Sequence, residues 1–492
     1  MVINENISKL GNTTGYVGSW SYLLDSPQYT SVPLSEIINN KYRFEASAFS
    51  IDAKAAREKI INCKYGASKL YPNETFVSKA FHAPRFKRNY LDKSAPDVVG
   101  FLGSAEMLNI KPSPIKYLSK KQADEKSLFV ERDTVLISCS GTIGKTTYVT
   151  KTLEKFAFSQ HIIRLICKNY PGFVYAYLNT NQAYLQIQSL IYGAVIPEIE
   201  PEHLENVIIP NAPDPIKKEV HDLITLSFEL RDESNDLIDC AEKILYTELR
   251  LPPIENLEPQ FYQSSGELKN FETKLSRLNL RLDGSYHLPI VQQVENIVKL
   301  NSKKLIKLSS NHLTKSITLP TRFSRTYVDK DNGPQFLGGR DLFQLVPSTS
   351  KYLSRMIHKK QIENELKIEL NDILTPSRGT IGKVSLAPYH LKDKVISDNI
   401  INIKPAGQNI AGYLFCFLNS EYGSILIKRQ IYGGVVDALE PVMLSQIDIP
   451  ILKNEQKQEE INDLVLKANT LRYKSYLKEK EAIDKVSQIM DL

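Results

Sequence analysis

The 492-residue chain is 42% apolar and 24% charged, the profile of a globular protein with ample core, and at about 150 residues per domain its length suggests three domains. Five cysteines (Cys63, Cys139, Cys167, Cys240, Cys416), no two closer than 28 residues, give neither zinc spacing nor a disulfide framework. With no signal-peptide pattern at the N-terminus and no apolar run near the ~18–20 residues of a membrane span, the secreted, membrane and disulfide-scaffold classes are excluded, a reducing cytosolic setting is expected, and the net charge of +6 permits nucleic acid without demanding it.

In chain order, residues 1–40 form an N-terminal arm that holds the single Trp20 and has no counterpart elsewhere in the chain. Residues 41–213 carry short apolar runs such as VLIS (135–138) and HIIRLI (161–166), separated by turn signals, and read as a strand-rich unit with a few helices. A long helix is predicted over 214–250, with Asp214 as its cap, Pro215 at its first position and Pro252-Pro253 as its stop; at ~1.5 Å per residue it is about 55 Å long. A linker at 251–278 leads to a second strand-rich unit at 279–452 and a second helix at 453–492. The fold class is α+β, with two strand-rich units each followed by a long α-helix.

The second half repeats the first. RFEAS at 43–47 matches RLDGS at 281–285, PRFKRNYLDK at 84–93 matches TRFSRTYVDK at 321–330, and FLGSAEM at 101–107 matches FLGGRDL at 336–342. GTIGK at 141–145 recurs at 379–383, SQHIIRLI at 159–166 matches SDNIINIK at 397–404, and IYGAV at 191–195 matches IYGGV at 431–435. With VIIP at 207–210 against IDIP at 447–450, seven blocks keep their order at offsets of 235–240, which establishes a duplication.

Both helices show a seam of alternating four- and three-residue steps. The first presents Ile216, Val220, Leu223, Ser227, Leu230, Ser234, Leu237, Ala241 and Ile244; the second presents Ile461, Leu464, Ala468, Leu471, Ser475, Lys478 and Ala482. Small residues recur at matching places (Ser227 and Ala468, Ser234 and Ser475, Ala241 and Ala482) and let helix backbones approach closely, so the two helices are expected to pair, antiparallel if a pseudo-two-fold axis relates the halves. The alternative is that each helix docks only on its own unit.

Charge is unevenly spread. The first helix carries five basic and ten acidic residues and the second eight of each, which leaves +11 on the rest of the chain. That distribution suits globular units that meet phosphate and rods that meet protein. Within it, Arg85, Lys87, Arg88, Tyr90 and Lys93 cluster, and Arg322, Arg325, Tyr327 and Lys330 repeat the cluster. Basic residues interleaved with Phe86 or Phe323 and a tyrosine suit a loop that grips DNA phosphate, the alternative being a surface hairpin anchored by its aromatics.

GTIGKTT at 141–147 is not a phosphate-binding P-loop, because Cys139 and Ser377 stand where the first glycine belongs and Val384 replaces the second copy's hydroxyl. It reads instead as a tight turn between strands. Ser140, Thr142 and Lys145, with Arg378, Thr380 and Lys383, are candidates there for phosphate or base-edge contacts. No adenine-methyltransferase motif, S-adenosylmethionine loop, nuclease half-site or metal cluster is legible, so no catalytic, metal-binding or cofactor-binding residue is assigned and the chain reads as a binder.

At this point the chain resembles the specificity subunits of type I restriction-modification systems, on its SxGTIG blocks, its YG blocks ahead of each unit's last strand, and the long helix after each unit. The resemblance covers nearly the whole chain beyond residue 40. The family's Pro-x-x-x-x-Gln approach to the helix survives one residue longer from Pro450 to Gln456, whereas the first copy has Pro210 and then Pro215-Ile216. The resemblance implies two target recognition domains, each reading one half of a bipartite site in double-stranded DNA. It further implies an antiparallel coiled coil that spaces them with pseudo-two-fold symmetry and docks two modification (methyltransferase) subunits. Nuclease-translocase subunits join that assembly, S-adenosylmethionine stays on the modification subunits, and the setting is the prokaryotic cytoplasm. A second reading stays open, that of a homologous DNA-binding or partner-binding scaffold acting outside DNA modification.

Overall fold

The computed structural model describes residues 31–39, 42–193, 195–257, 270–278, 280–434 and 436–492; Trp20, most of the N-terminal arm and part of the 251–278 linker lie outside these. The fold mixes helix and strand throughout. A four-stranded antiparallel sheet in the first half runs in the order Val77–His82, Ile162–Cys167, Val135–Ser138, Thr146–Tyr148. The second half repeats that order with Thr314–Thr318, Ile400–Pro405, Ile373–Pro376 and Ser385–Leu386. In each sheet the two central strands are almost wholly buried, so they lack the alternation of a strand with one exposed face, and Arg164, Thr375 and Asn402 are buried along with their apolar residues. GTIGK fills the turn between two antiparallel strands in both halves, as expected, with Gly141, Gly144, Gly379 and Gly382 all at positive φ.

The two long helices span Asp214–Glu248 and Glu455–Ile489. Pro213 rather than Asp214 occupies the cap position of the first, one residue earlier than the sequence suggested, whereas Asn454 caps the second through a bond from Lys457 N. The helices lie against each other and run in opposite directions: Lys485 Nζ reaches Glu219 Oε1 at 2.8 Å, Ser227 Oγ meets Ser475 Oγ at 3.0 Å, and Lys467 Nζ lies 3.9 Å from Glu233 Oε1. In this register Val220 faces Ala482, Ser234 faces Ala468 and Ala241 faces Ile461, so a small side chain stands on at least one side of every step; all six are buried. Leu471 is buried too, but Leu223, Leu230 and Leu464 are only half-buried. The deepest residues of the first helix instead include Ile224, Phe228, Ile238 and Leu245, because each helix buries a second face against the globular units.

That second face joins the cores. Val220, Ile224 and Phe228 from the first helix and Ala482, Val486 and Ile489 from the end of the second close the core of the first unit. Ile238, Ala241 and Leu245 with Ile461, Val465 and Ala468 close the core of the second. A short buried helix of each unit crosses its long helix at a glycine. Gly172 N donates to His221 Nδ1 at 3.1 Å, Gly412 N donates to Asn462 Oδ1 at 2.9 Å, and a Cβ on Gly412 would lie 2.3 Å from the Asn462 carbonyl oxygen.

Two outcomes follow. Ser475→Leu overfills the fully buried Ser227–Ser475 contact of the helix pair and is expected to destabilise the fold by about 1–3 kcal/mol in chemical denaturation. His390 stacks on Tyr476 (ring centroids 4.1 Å apart), donates from Nε2 to Leu345 O at 2.8 Å, and is pushed by burial down to about 4. A depressed histidine contributes stability that is complete above its ordinary pKa and is lost as the pH falls toward the folded value. Unfolding free energy should therefore drop by on the order of 3 kcal/mol between about pH 6.5 and 4, and His390→Gln should flatten that slope.

Candidate nucleic-acid interface

Three loops meet at one edge of each unit. In the first, the basic loop 84–93 is tied to the YG loop by Arg85 Nη2, 3.6 Å from Glu198 Oε2, and the GTIG turn joins the same loop through the Ser140–Glu198 bridge. In the second, Arg378 bridges to Ala438 of the corresponding YG loop. Tyr192–Glu198 and Tyr432–Ala438 bridges close each YG loop on itself. Tyr192 Oη donates to Glu200 Oε1 at 2.9 Å and Tyr432 Oη to Glu440 Oε1 at 2.7 Å. Burial and the Glu200 carboxylate together push Tyr192 up to about 12. Burial also pushes the Glu200 carboxyl up, but hydrogen bonds from Tyr192 and from His82 Nε2 (2.8 Å) outweigh it and hold the group below its ordinary value.

Two arginines are built in the same way. Arg88 lies over the Phe101 ring (5.3 Å to the centroid), and its Nη2 donates to Gln160 Oε1 at 2.8 Å. Arg325 lies over the Phe336 ring (5.4 Å) and pairs with Asp398. A guanidinium stacked on an aromatic face and held at one edge keeps its remaining N–H groups oriented, as planar recognition of phosphate or base requires. Phe101, Phe336, Gln160 and Asp398 were not singled out from sequence, yet they sit inside the repeated FLG and SQH/SDN blocks, and that repetition was the available signal.

The other candidates divide by exposure. Arg85, Lys87, Tyr90, Thr142, Arg322, Tyr327, Lys330, Arg378 and Thr380 are exposed on these loops. Lys93 is exposed but paired across the halves with Glu421 (2.6 Å) and Glu255 (2.9 Å). Ser140 is buried, with Oγ 2.7 Å from His161 Nδ1, so its hydroxyl fixes the turn. Lys145 and Lys383 point back from their turns: Lys145 lies over the Tyr184 ring and Lys383 Nζ donates to Ser113 O at 3.3 Å, and burial lowers the pKa of both. Among the described residues no group of side chains is arranged to hold a metal ion, and no single helix is long and apolar enough to cross a membrane.

Residues 77–227 match the family model described as type I restriction modification DNA specificity domain. No curated protein matches the chain. Among solved structures, a type I restriction-modification S subunit from M. genitalium aligns at 12% identity over 87% of this chain and 95% of its own, with a TM-score of 0.32. The HsdS subunit from Thermoanaerobacter tengcongensis aligns at 15% identity over 80% of this chain and 89% of its own, with a TM-score of 0.25. A chain from a structure of complex assembly and conformational transition in the type I R-M system aligns at 14% identity over 80% and 90%, with a TM-score of 0.27.

The YG loops depend on their glycines. Gly193 and Gly433 sit at φ +95° and +111°, and a Cβ on either would stand 2.4 Å from the carbonyl oxygen of Ile196 or Val436. Gly433→Ala is therefore expected to cost about 1–3 kcal/mol in thermal unfolding, with the damage confined to the second unit's loop edge in amide hydrogen exchange.

Proposed function

We propose, for a chain whose residues 77–227 match the family model of a type I restriction modification DNA specificity domain, that the whole molecule is a noncatalytic DNA specificity subunit with a target recognition domain in each half. The observation that carries this reading is the paired loop edge: the same stacked arginine, GTIG turn and YG loop occur in both halves, joined through an antiparallel helix pair. Each edge takes one half of a bipartite site in double-stranded DNA. The stacked arginines and the exposed Arg85, Lys87, Arg322 and Lys330 hold phosphate, while Thr142, Arg378 and Thr380 at the turn tips face base edges.

A pseudo-two-fold axis relating the halves is supported at two places. Asn109 and Gln344, which correspond across the repeat, form an antiparallel bridge with each other, and the helix register centres on Leu230-Arg231 and Leu471-Arg472, also corresponding residues. Opposed half-sites match such symmetry. A helix of 35 residues is about 52 Å long, equal to about 15 base pairs at ~3.4 Å each, so the helix pair serves as a coiled-coil ruler between them. The outer faces of these helices, far less basic than the units, dock two methyltransferase subunits, and restriction-translocase subunits complete the assembly. S-adenosylmethionine is held by the methyltransferase partners, and the complex works in the prokaryotic cytoplasm.

Expression with an adenine methyltransferase partner, followed by methylome sequencing, should yield one bipartite methylated motif; its absence would refute the reading and leave a scaffold acting outside modification. In DNA binding, Arg88→Ala should weaken affinity and flatten the salt dependence by about one unit. Arg325→Ala should do so less, because Asp398 already neutralises that guanidinium whereas Gln160 leaves Arg88 charged.

A further inference from the structure

On the two sides of the helix crossing, corresponding residues line two unequal spaces. On one side the segment 344–348 closes over Lys145 and Thr147 and leaves a crevice of about 90 Å³. There Arg231 pairs with Glu479, and Arg231 Nε donates to Ser475 Oγ at 3.0 Å. On the other side, the corresponding segment 109–115 stands over residues 379–385 and leaves a cavity of about 740 Å³. Here Arg472 takes the place of Arg231, but Ile238 stands where Glu479 would be, both at an offset of 241.

Arg472 is therefore a buried cation that has lost its anion. It is 6% exposed and lines the cavity. It donates to Ser234 Oγ and Asn235 Oδ1, both at 3.4 Å and both neutral, and forms no ion pair with a carboxylate among the described residues. Burial alone pulls it down to about 10. A desolvated guanidinium without a counter-charge is costly, and its planar donors suit phosphate or carboxylate oxygens. Lys111, Lys383 and Lys428 share the wall with two acids, Glu242 and Glu421. Glu421 is held by Lys93 and Lys111 pairs with Asp239, so Arg472, Lys383 and Lys428 are set against Glu242 and the lining keeps a positive surplus that favours a multiply charged anion. The volume far exceeds that of a bare oxyanion, and Ile115, Phe343 and Phe415 supply apolar wall.

We propose that this cavity binds a small organic phosphate whose phosphoryl oxygens take, at Arg472, the place that the Glu479 carboxylate takes at Arg231. Ile238 is what leaves the place open. The full-length chain, free of DNA, would be titrated calorimetrically with AMP and with inorganic phosphate at constant ionic strength. AMP should bind one-to-one with a dissociation constant below about 1 mM, more tightly than phosphate, and raise the melting temperature by mass action. Ile238→Glu supplies the missing carboxylate in place and should weaken AMP at least about tenfold. Arg472→Met, which removes the cation and leaves Ile238, should do the same if the glutamate variant fails to fold. No saturable binding of AMP up to about 10 mM, or an unchanged affinity in both variants, would overturn the proposal. Neither result bears on the methylome experiment, so the two readings fail separately.

Discussion

Everything in this fold hangs on two long helices that approach closely enough to share both cores. Val220, Ser227, Ser234 and Ala241 meet Ala482, Ser475, Ala468 and Ile461 in steps of seven, and small residues at each step hold the axes near each other. Proximity on that face frees the adjoining faces to finish two separate hydrophobic clusters, one at each end of the pair. Neither unit closes its core with its own helix alone. Each needs the start of one helix and the end of the other, so the cost of separating the helices includes exposure of apolar surface in both units. The spacing between the two loop edges is thereby set by packing rather than by a linker.

The same constraint explains why the sequence was only partly legible. The seam's stride and its small residues could be read from either helix, because they are properties of one chain segment. Leu223, Leu230 and Leu464 fit the stride equally well and yet remain half-buried, while Ile224, Phe228 and Ile238, off the stride, are buried. A single-helix periodicity cannot separate residues that face a partner helix from those that face a globular core when both faces are apolar and adjacent. The duplication was legible for a different reason, since order and spacing of blocks survive even where each block is short.

At the loop edges, charge and composition located the basic segments but not their supports. Arg88 and Arg325 belong to a visible cluster, whereas their platforms, Phe101 and Phe336, lie ten or more residues away and reach them only through the fold. Lys145 and Lys383 look like tip residues because they follow glycines, but a turn only five residues wide returns its last side chain toward the body of the protein, and both lysines end up partly desolvated. Ser140 is drawn inward by His161 in the same way. Exposure within a tight turn depends on which strand a residue already belongs to, and that is fixed by register, not by residue type.

Duplication within one chain has a physical consequence that a homodimer cannot share: corresponding positions are free to differ. The scaffold residues have changed little in kind, as Gly172 and Gly412 at the helix crossings and Gly193 and Gly433 in the YG loops show. Two positions beside conserved arginines differ in charge between the halves. Gln160 corresponds to Asp398 beside otherwise identical stacked arginines, and Glu479 corresponds to Ile238 beside otherwise identical buried ones. In the first case one exposed cation is neutralised and its partner is not; in the second, one buried cation is satisfied and its partner stands over an open cavity. Symmetry in the backbone thus imposes no symmetry on what each half binds, because a single carboxylate gained or lost beside an arginine cancels or uncovers its charge while leaving the arginine in place.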